Sequence, residues 1–432
     1  MIRDIQISRR RFLYFAAGCA LSSAAAILLP SCSQASSSSS DEGKEERNLF
    51  LFNTSVNLSA YCSAELMDKA VDRCNYFEQK FSRTIEESDI GRINASHKTE
   101  FEIAPETADI IKKSFMYSQD SNGLFDISIG AVTTLWDFDK GVKPDDADLK
   151  EAITHIGWEK IHVTDTTVTL DDPDMKLDLG GIAKGYIADD LAQLFRDGGC
   201  ESAILNLGGN IYALGNKPDG SQWKVGVRNP NKDADQTVIA SCTAQDESVV
   251  TSGLYERYFE QDGTRYYHIL DPKTGYPAKT DLDSSSIVCK QSIDGDAYAT
   301  VLFLLGREEA LVFLEKHDAL EGILVDNEGK ISESSGKRFD LENTEEASSG
   351  ERVAVVHDAD DKTYELPLDT DQEITVQTDL GKNVVRVEGG KVSVVDSDCP
   401  NHDCMHQGAI DGSFGQQIVC LPHKLWIEVV EK

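Results

Sequence analysis

The run Leu177-Asp178-Leu179-Gly180-Gly181-Ile182-Ala183-Lys184-Gly185-Tyr186 constrains the fold more than any other stretch of the chain. An apolar run ends in a carboxylate, two glycines follow, then a lysine. Tyr186, Ile187, Leu191 and Leu194 continue at helical spacing. The pattern predicts a strand that ends, a tight turn and a helix that begins. Paired glycines there let backbone amides approach a phosphate with no Cβ in the way, and a helix N-terminus favours negative charge. Lys184 can add a point charge to the same phosphate. The glycine spacing fits neither a Walker A loop nor a Rossmann fingerprint. A Gly-Gly turn before a helix also occurs in ordinary α/β proteins, so this segment alone leaves a phosphate site and a plain structural turn both open.

The chain has 432 residues, enough for two or three domains. Its first part reads as an address. Ser8-Arg9-Arg10-Arg11-Phe12-Leu13 has the form of a twin-arginine export signal and precedes an apolar, alanine-rich stretch from Tyr14 to Pro30. That stretch is short for a permanent span. Leu29-Pro30-Ser31-Cys32 resembles a lipobox, with Cys32 the lipidated residue; a plain cleaved signal or an uncleaved anchor is the alternative. Residues 1–32 are therefore expected to be a signal peptide. Residues 33–48, with Ser36 to Ser40 and the charged run to Arg47, are expected to be a flexible tether. The expected location is the outer face of the cell membrane. The net charge of −33 excludes a basic stripe for nucleic acid.

Residues 49–335 read as one mixed α+β domain. Strands are expected over Leu49–Leu58, Lys160–Leu170, Ser202–Leu207, Trp223–Val227, Glu247–Thr251 and Ser286–Cys289. Helices are expected over Leu66–Phe81, Thr107–Asp120, Ala297–Leu305 and Arg307–Lys316. Residues 336–351 are polar and read as a linker. Residues 352–432 form a short β-rich domain with six expected strands.

Small polar constellations recur through the large domain: Gly123-Leu124-Phe125-Asp126, Asn206-Leu207-Gly208-Gly209-Asn210, Thr251-Ser252-Gly253, Tyr267-His268-Ile269-Leu270-Asp271-Pro272, and Asp296-Ala297-Tyr298-Ala299-Thr300. Asp296 and Thr300, four apart on a helix, share a face, and their hard oxygens suit Mg2+. The structural alternative for Asp296 is a carboxylate that offsets a helix dipole.

In this order the motifs resemble the ApbE family of exported FAD:protein FMN transferases, over nearly all of residues 49–335. The resemblance implies a tandem α+β, T-fold-like ApbE domain. It implies Mg2+-dependent cleavage of FAD, its substrate, with FMN transferred to a Thr or Ser of an extracytoplasmic redox protein and AMP released. FAD hydrolysis to FMN and AMP, and a non-catalytic flavin-binding lipoprotein, are the alternatives. Carried over by position, Asp296 and Thr300 are metal ligands through their side chains and Gly181 through its carbonyl. Asp178, Lys184, Leu124, Phe125, Asp126 and Ile269 contact FAD. Phe52 stands where the family usually has methionine, Thr84 where an aromatic is frequent, and Ala299 where some members carry a second carboxylate. His268 is a candidate base for the incoming hydroxyl; a structural histidine beside the Asp-Pro turn is the other reading.

Of ten cysteines, Cys19 and Cys32 belong to the leader, and Cys62, Cys74, Cys200, Cys242 and Cys289 fit no motif spacing. Near the C-terminus, Cys399-Pro400-Asn401-His402-Asp403-Cys404, Gln407-Gly408 and Ile418-Val419-Cys420-Leu421-Pro422-His423-Lys424 resemble the NusG domain II module, a small β-barrel. Cys404-x-His406 and Cys420-x-x-His423 also echo a Rieske ligand set, with a spacing short for that class. An oxidising compartment favours a disulfide, Cys399 with Cys404 or Cys420, over a Rieske or zinc site.

Overall fold

The computed structural model describes residues 43–231, 237–254, 257–341, 352–360, 362–400, 402–412, 417–420 and 422–431, the side chains of Asp403, His406 and Glu431 excepted. The expected signal, Cys19 and Cys32 lie outside the described residues.

One eight-stranded antiparallel sheet forms the frame. In spatial order its strands are Lys44–Leu51, Thr54–Tyr61, Ser202–Leu207, Asn210–Gly215, Glu247–Gly253, Leu282–Cys289, Glu321–Asp326 and Ile331–Glu333, which is also their order in the chain. Sequential neighbours need no crossover, so each element before Ile331 that lies outside this sheet is an insertion between adjacent strands, and the C-terminal strands follow the last of them. Helices Ala64–Phe81, Pro105–Asp120 and Ala183–Asp197 all come between the second and third strands. Side chains alternate across the sheet, as strand geometry requires. Leu205, Leu214, Ile287 and Leu324 face the helical core. Ala213, Val249, Val288 and Ile323 pack on the other face against Val225, Val227 and Ala240 of the Trp223–Arg228 and Val238–Ala244 strands.

The sheet begins earlier than the sequence pattern suggests. Lys44–Leu51 is an edge strand, paired from Lys44 with Tyr61 to Leu51 with Thr54, so the end of the expected tether is ordered pairing. Its charged side chains keep an edge soluble while its backbone bonds inward. The expected single strand Leu49–Leu58 is instead a hairpin. It turns at Phe52 and Asn53, both with positive φ, in a place where no glycine announces it. Lys160–Leu170 likewise divides into Ile161–Val163 and Thr167–Leu170 around a short turn. In the expected linker, Asp340–Leu341 pairs with the Val238–Ala244 strand.

The Ser292–Leu305 helix is apolar nearly all round and accordingly buried. It packs on the Glu247–Gly253 and Leu282–Cys289 strands and crosses the Ala183–Asp197 helix. The crossing is close because Gly185 lacks a side chain: a Cβ there would lie 2.4 Å from the Ser292 carbonyl oxygen.

The C-terminal residues form two antiparallel sheets. One has the order Thr363–Pro367, Arg352–His357, Leu425–Glu431, Gln417–Cys420, and the other Gln372–Thr378, Gly381–Glu388, Lys391–Ser397. They share one core that includes Val356, Val385, Val387, Val392, Ile418 and Ile427. The described strands do not close into a ring. The expected barrel is two sheets facing each other.

Candidate active site

The residues Leu177–Ile182 do not form a strand. Lys176 makes one parallel bridge with Ile129, and the turn closes through the Ile182 and Ala183 amides, which donate to the Leu179 carbonyl. Helix starts at Ala183. Asp178 organises the turn: one carboxylate oxygen accepts from the Gly180 amide at 2.8 Å. The other accepts from Thr133 Oγ1 at 2.7 Å and lies 3.2 Å from Arg83 Nε.

The two crossing helices cap each other. Asp296, one turn into its helix and buried, accepts from the Gly185 amide at 2.9 Å, within the first turn of the facing helix. In return Asp189, on that facing helix, accepts from the Ser292 and Ile293 amides at 2.8 and 3.0 Å. Each carboxylate satisfies N-terminal donors that the partner helix cannot satisfy itself. Burial pushes the Asp189 carboxyl up to about 6, against the pull of those two amides. The structural and functional readings of Asp296 are therefore not exclusive, because its second oxygen lies 3.1 Å from Lys184 Nζ. Thr300 Oγ1 donates to the Asp296 carbonyl at 3.3 Å. Gly181 is the next neighbour. A Cβ there would stand 3.2 Å from the Phe125 ring and 3.8 Å from Thr300 Oγ1.

Asp296, Thr300, Gly181 and Lys184 thus come together in the lining of a cleft of about 1910 Å3. Phe52, Thr84, Leu124, Phe125, Asp126, Asp178, His268 and Ile269 line the same cleft, as do Asn206, Thr251 and Ser252. Asp126 differs in kind from the others. Its carboxylate is buried and fully engaged with the Ser128 amide and hydroxyl and the Trp158 amide. Burial raises its pKa. It shapes the Leu124-Phe125 turn and does not offer a free charge. Thr84 is exposed on the rim, bonded to Ser82. Phe52 has φ +56°, an uncommon conformation for an aromatic residue, held by its amide donating to Glu78 Oε2 at 2.6 Å.

The His268 imidazole has Nδ1 3.3 Å from the Arg257 carbonyl oxygen. Burial, with the Arg257 and Lys184 charges nearby, pulls its pKa down to about 4. It is neutral at pH 7, and Nδ1–H donating to that carbonyl leaves Nε2 the basic nitrogen. Arg83, Arg257, Thr133 and Asp189 carry no motif signal. Each acts through a partner distant in sequence, which only the fold brings near.

The donor set fits a hard divalent cation: one carboxylate, one hydroxyl and a backbone carbonyl at a glycine that leaves room beside Thr300. Among the described residues the cleft gathers no trio of acid, His or Cys ligand atoms.

The model of the ApbE family matches residues 52–324, more than half of the chain. The chain belongs to the ApbE family. Its relatives include proteins named FAD:protein FMN transferase from Treponema pallidum, 38% identical over 52% of this chain and 67% of that one, and from Klebsiella pneumoniae, 42% identical over 50% and 67%. The crystal structure of the ApbE protein of Thermotoga maritima superposes with a TM-score of 0.62 at 29% identity, covering 68% of this chain and 97% of that one. The flavin transferase ApbE of Vibrio cholerae gives 0.60 at 25%, covering 68% and 98%. Residues 339–432 match the model of NusG domain II.

Proposed function

We propose that this ApbE-family chain is an FAD:protein FMN transferase. It takes FAD and a protein acceptor, breaks the pyrophosphate bond, places FMN on a Thr or Ser hydroxyl and releases AMP. The meeting of Asp296, Lys184, Thr300 and Gly181 at the head of one helix, inside a cleft large enough for a dinucleotide, carries this reading. The names of its relatives support it.

Asp296, Thr300 and the Gly181 carbonyl would hold Mg2+. When bound, the ion neutralises charge on the diphosphate and on the departing AMP. The chain's own groups do the rest. Lys184 adds a cation beside the same diphosphate, and the helix N-terminus favours its negative charge. Phe125, Leu124, Ile269 and Phe52 supply apolar surface for the flavin or adenine ring. His268 Nε2 accepts the proton of the incoming hydroxyl as its oxygen bonds to the FMN phosphorus, and AMP leaves with the electron pair. Positioning and charge dominate such a step. The twin-arginine pattern and the lipobox-like Cys32 support export, a lipid anchor and extracytoplasmic redox proteins as acceptors.

The test is incubation with FAD, Mg2+ and a peptide of the pattern Asp-Gly-x-Thr-Gly-Ala-Thr, read by mass spectrometry. An FMN adduct with matching AMP supports transfer. AMP and free FMN without adduct would make the chain an FAD pyrophosphatase. Bound, uncut FAD would make it a flavin carrier.

A further inference from the structure

We propose that Cys399, Cys404 and Cys420 form a three-thiolate site for a thiophilic d10 cation, Zn2+ or Cu+. The site lies in the NusG domain II region, apart from the oxygen donors of the cleft, and does not depend on the flavin reading.

Three elements bring the thiols together. Cys399 follows the Lys391–Ser397 strand, Cys404 sits on the short Asp403–His406 helix, and Cys420 ends the Gln417–Cys420 strand. All three are buried, at 1% exposure. Their sulfurs lie within 4.8 Å of one another, with Cys399 and Cys404 at 3.9 Å. A tetrahedral ion with metal–sulfur bonds of about 2.3 Å holds its sulfurs roughly 3.8 Å apart. A disulfide would use two of the sulfurs and leave the third thiol buried beside it. A sulfur-only set selects soft cations and disfavours Mg2+ or Ca2+.

The surroundings are built to orient the sulfurs. Asn383, buried at 1%, donates from Nδ2 to Cys404 Sγ at 3.5 Å and to Ser397 Oγ at 3.1 Å. Its Oδ1 lies 2.7 Å from His423 Nδ1, and His423 Nε2 lies 3.3 Å from Asp398 Oδ1. Both nitrogens of the His423 ring are thus engaged away from the sulfurs, so His423 is not placed as a Rieske ligand; the His406 side chain lies outside the described residues. The histidine acts through Asn383 instead, and such outer partners tune a metal's affinity. Gly381 leaves the space: a Cβ there would lie 2.2 Å from His423 Nε2. On binding, three S–H bonds are replaced by three sulfur–metal bonds and the protons go to solvent, with no change of oxidation state.

The test uses the full chain, purified without oxygen, stripped by a chelator and loaded separately with Zn2+ and with Cu+. Elemental analysis follows desalting. About one equivalent of either ion per chain supports the site, and competition between the two identifies the preferred cation. Cys404→Ser should abolish retention. His423→Gln, which changes a ring held by Asn383 and Asp398 and leaves all three thiols in place, should weaken affinity about 10- to 100-fold with an unchanged far-ultraviolet circular dichroism spectrum. If Cys404→Ser does not fold, this second variant decides, and unchanged affinity overturns the proposal. Retention of neither ion by the parent chain overturns it, and so does a Cys399–Cys404 or Cys399–Cys420 cross-link found by non-reducing peptide mapping.

Discussion

Asp296 serves two ends with its two oxygens. One caps a neighbouring helix through the Gly185 amide and the other faces Lys184. Asp296→Asn keeps an acceptor for the amide and removes the charge, so it separates folding from chemistry. His268 is the complementary case. Its folded pKa of about 4 lies below the ordinary 6.5, so below pH 6.5 the unfolded chain binds the proton that the folded chain refuses. Stability therefore falls as pH drops from 6.5 to about 4, and this contribution is level below that. His268→Gln should flatten that part of a plot of Tm against pH. It should also slow FMN transfer about 10^2- to 10^4-fold at neutral pH. An unchanged slope would mean the imidazole titrates normally. An unchanged rate would mean it is no base.

The site exists because two helices cross at Gly185. Gly185→Ala would drive a methyl group against the Ser292 carbonyl. It should cost about 1–3 kcal/mol and lower activity by moving Asp296. Asp189→Ala leaves the Ser292 and Ile293 amides without their carboxylate, and a helix cap of this kind is worth about 1 kcal/mol. Thermal melts of both variants check these values. Much of this scale was legible in the sequence. The Ser202–Leu207 strand follows from periodicity alone, the helix expected over Leu66–Phe81 starts two residues earlier at Ala64, and a helix does follow the Gly-Gly turn, although no strand precedes it. The hairpin at Phe52-Asn53 was not, since the tertiary bonds to Glu78 and Arg257 hold a turn that local chemistry does not favour. The mutual capping by Asp189 and Asp296 was equally invisible, because each carboxylate acts on a helix other than its own.

At the scale of the molecule, the cleft is not closed by the large domain alone. Gln417, Val419 and Pro422 from the C-terminal sheets share its lining with Trp223, Arg228 and Val238. Thr237 Oγ1 meets Asp411 Oδ2 at 3.2 Å. The motifs pointed to residues that line one side of this cleft, while this second wall required the fold, since no spacing links positions so far apart. The proposed export belongs to the same scale. Replacing Arg9 and Arg10 together by Lys should retain the chain in the cytoplasm, and Cys32→Ser should release it from membranes; cell fractionation reads both. In the proposed function the Asp296 charge at the head of the Ala183–Asp197 helix drives FAD cleavage. It is tested most directly by AMP release from FAD in parent and Asp296→Asn, with Tm measured in parallel. The rate should fall by at least about 100-fold with Tm nearly unchanged. An equal rate in a folded variant would contradict it.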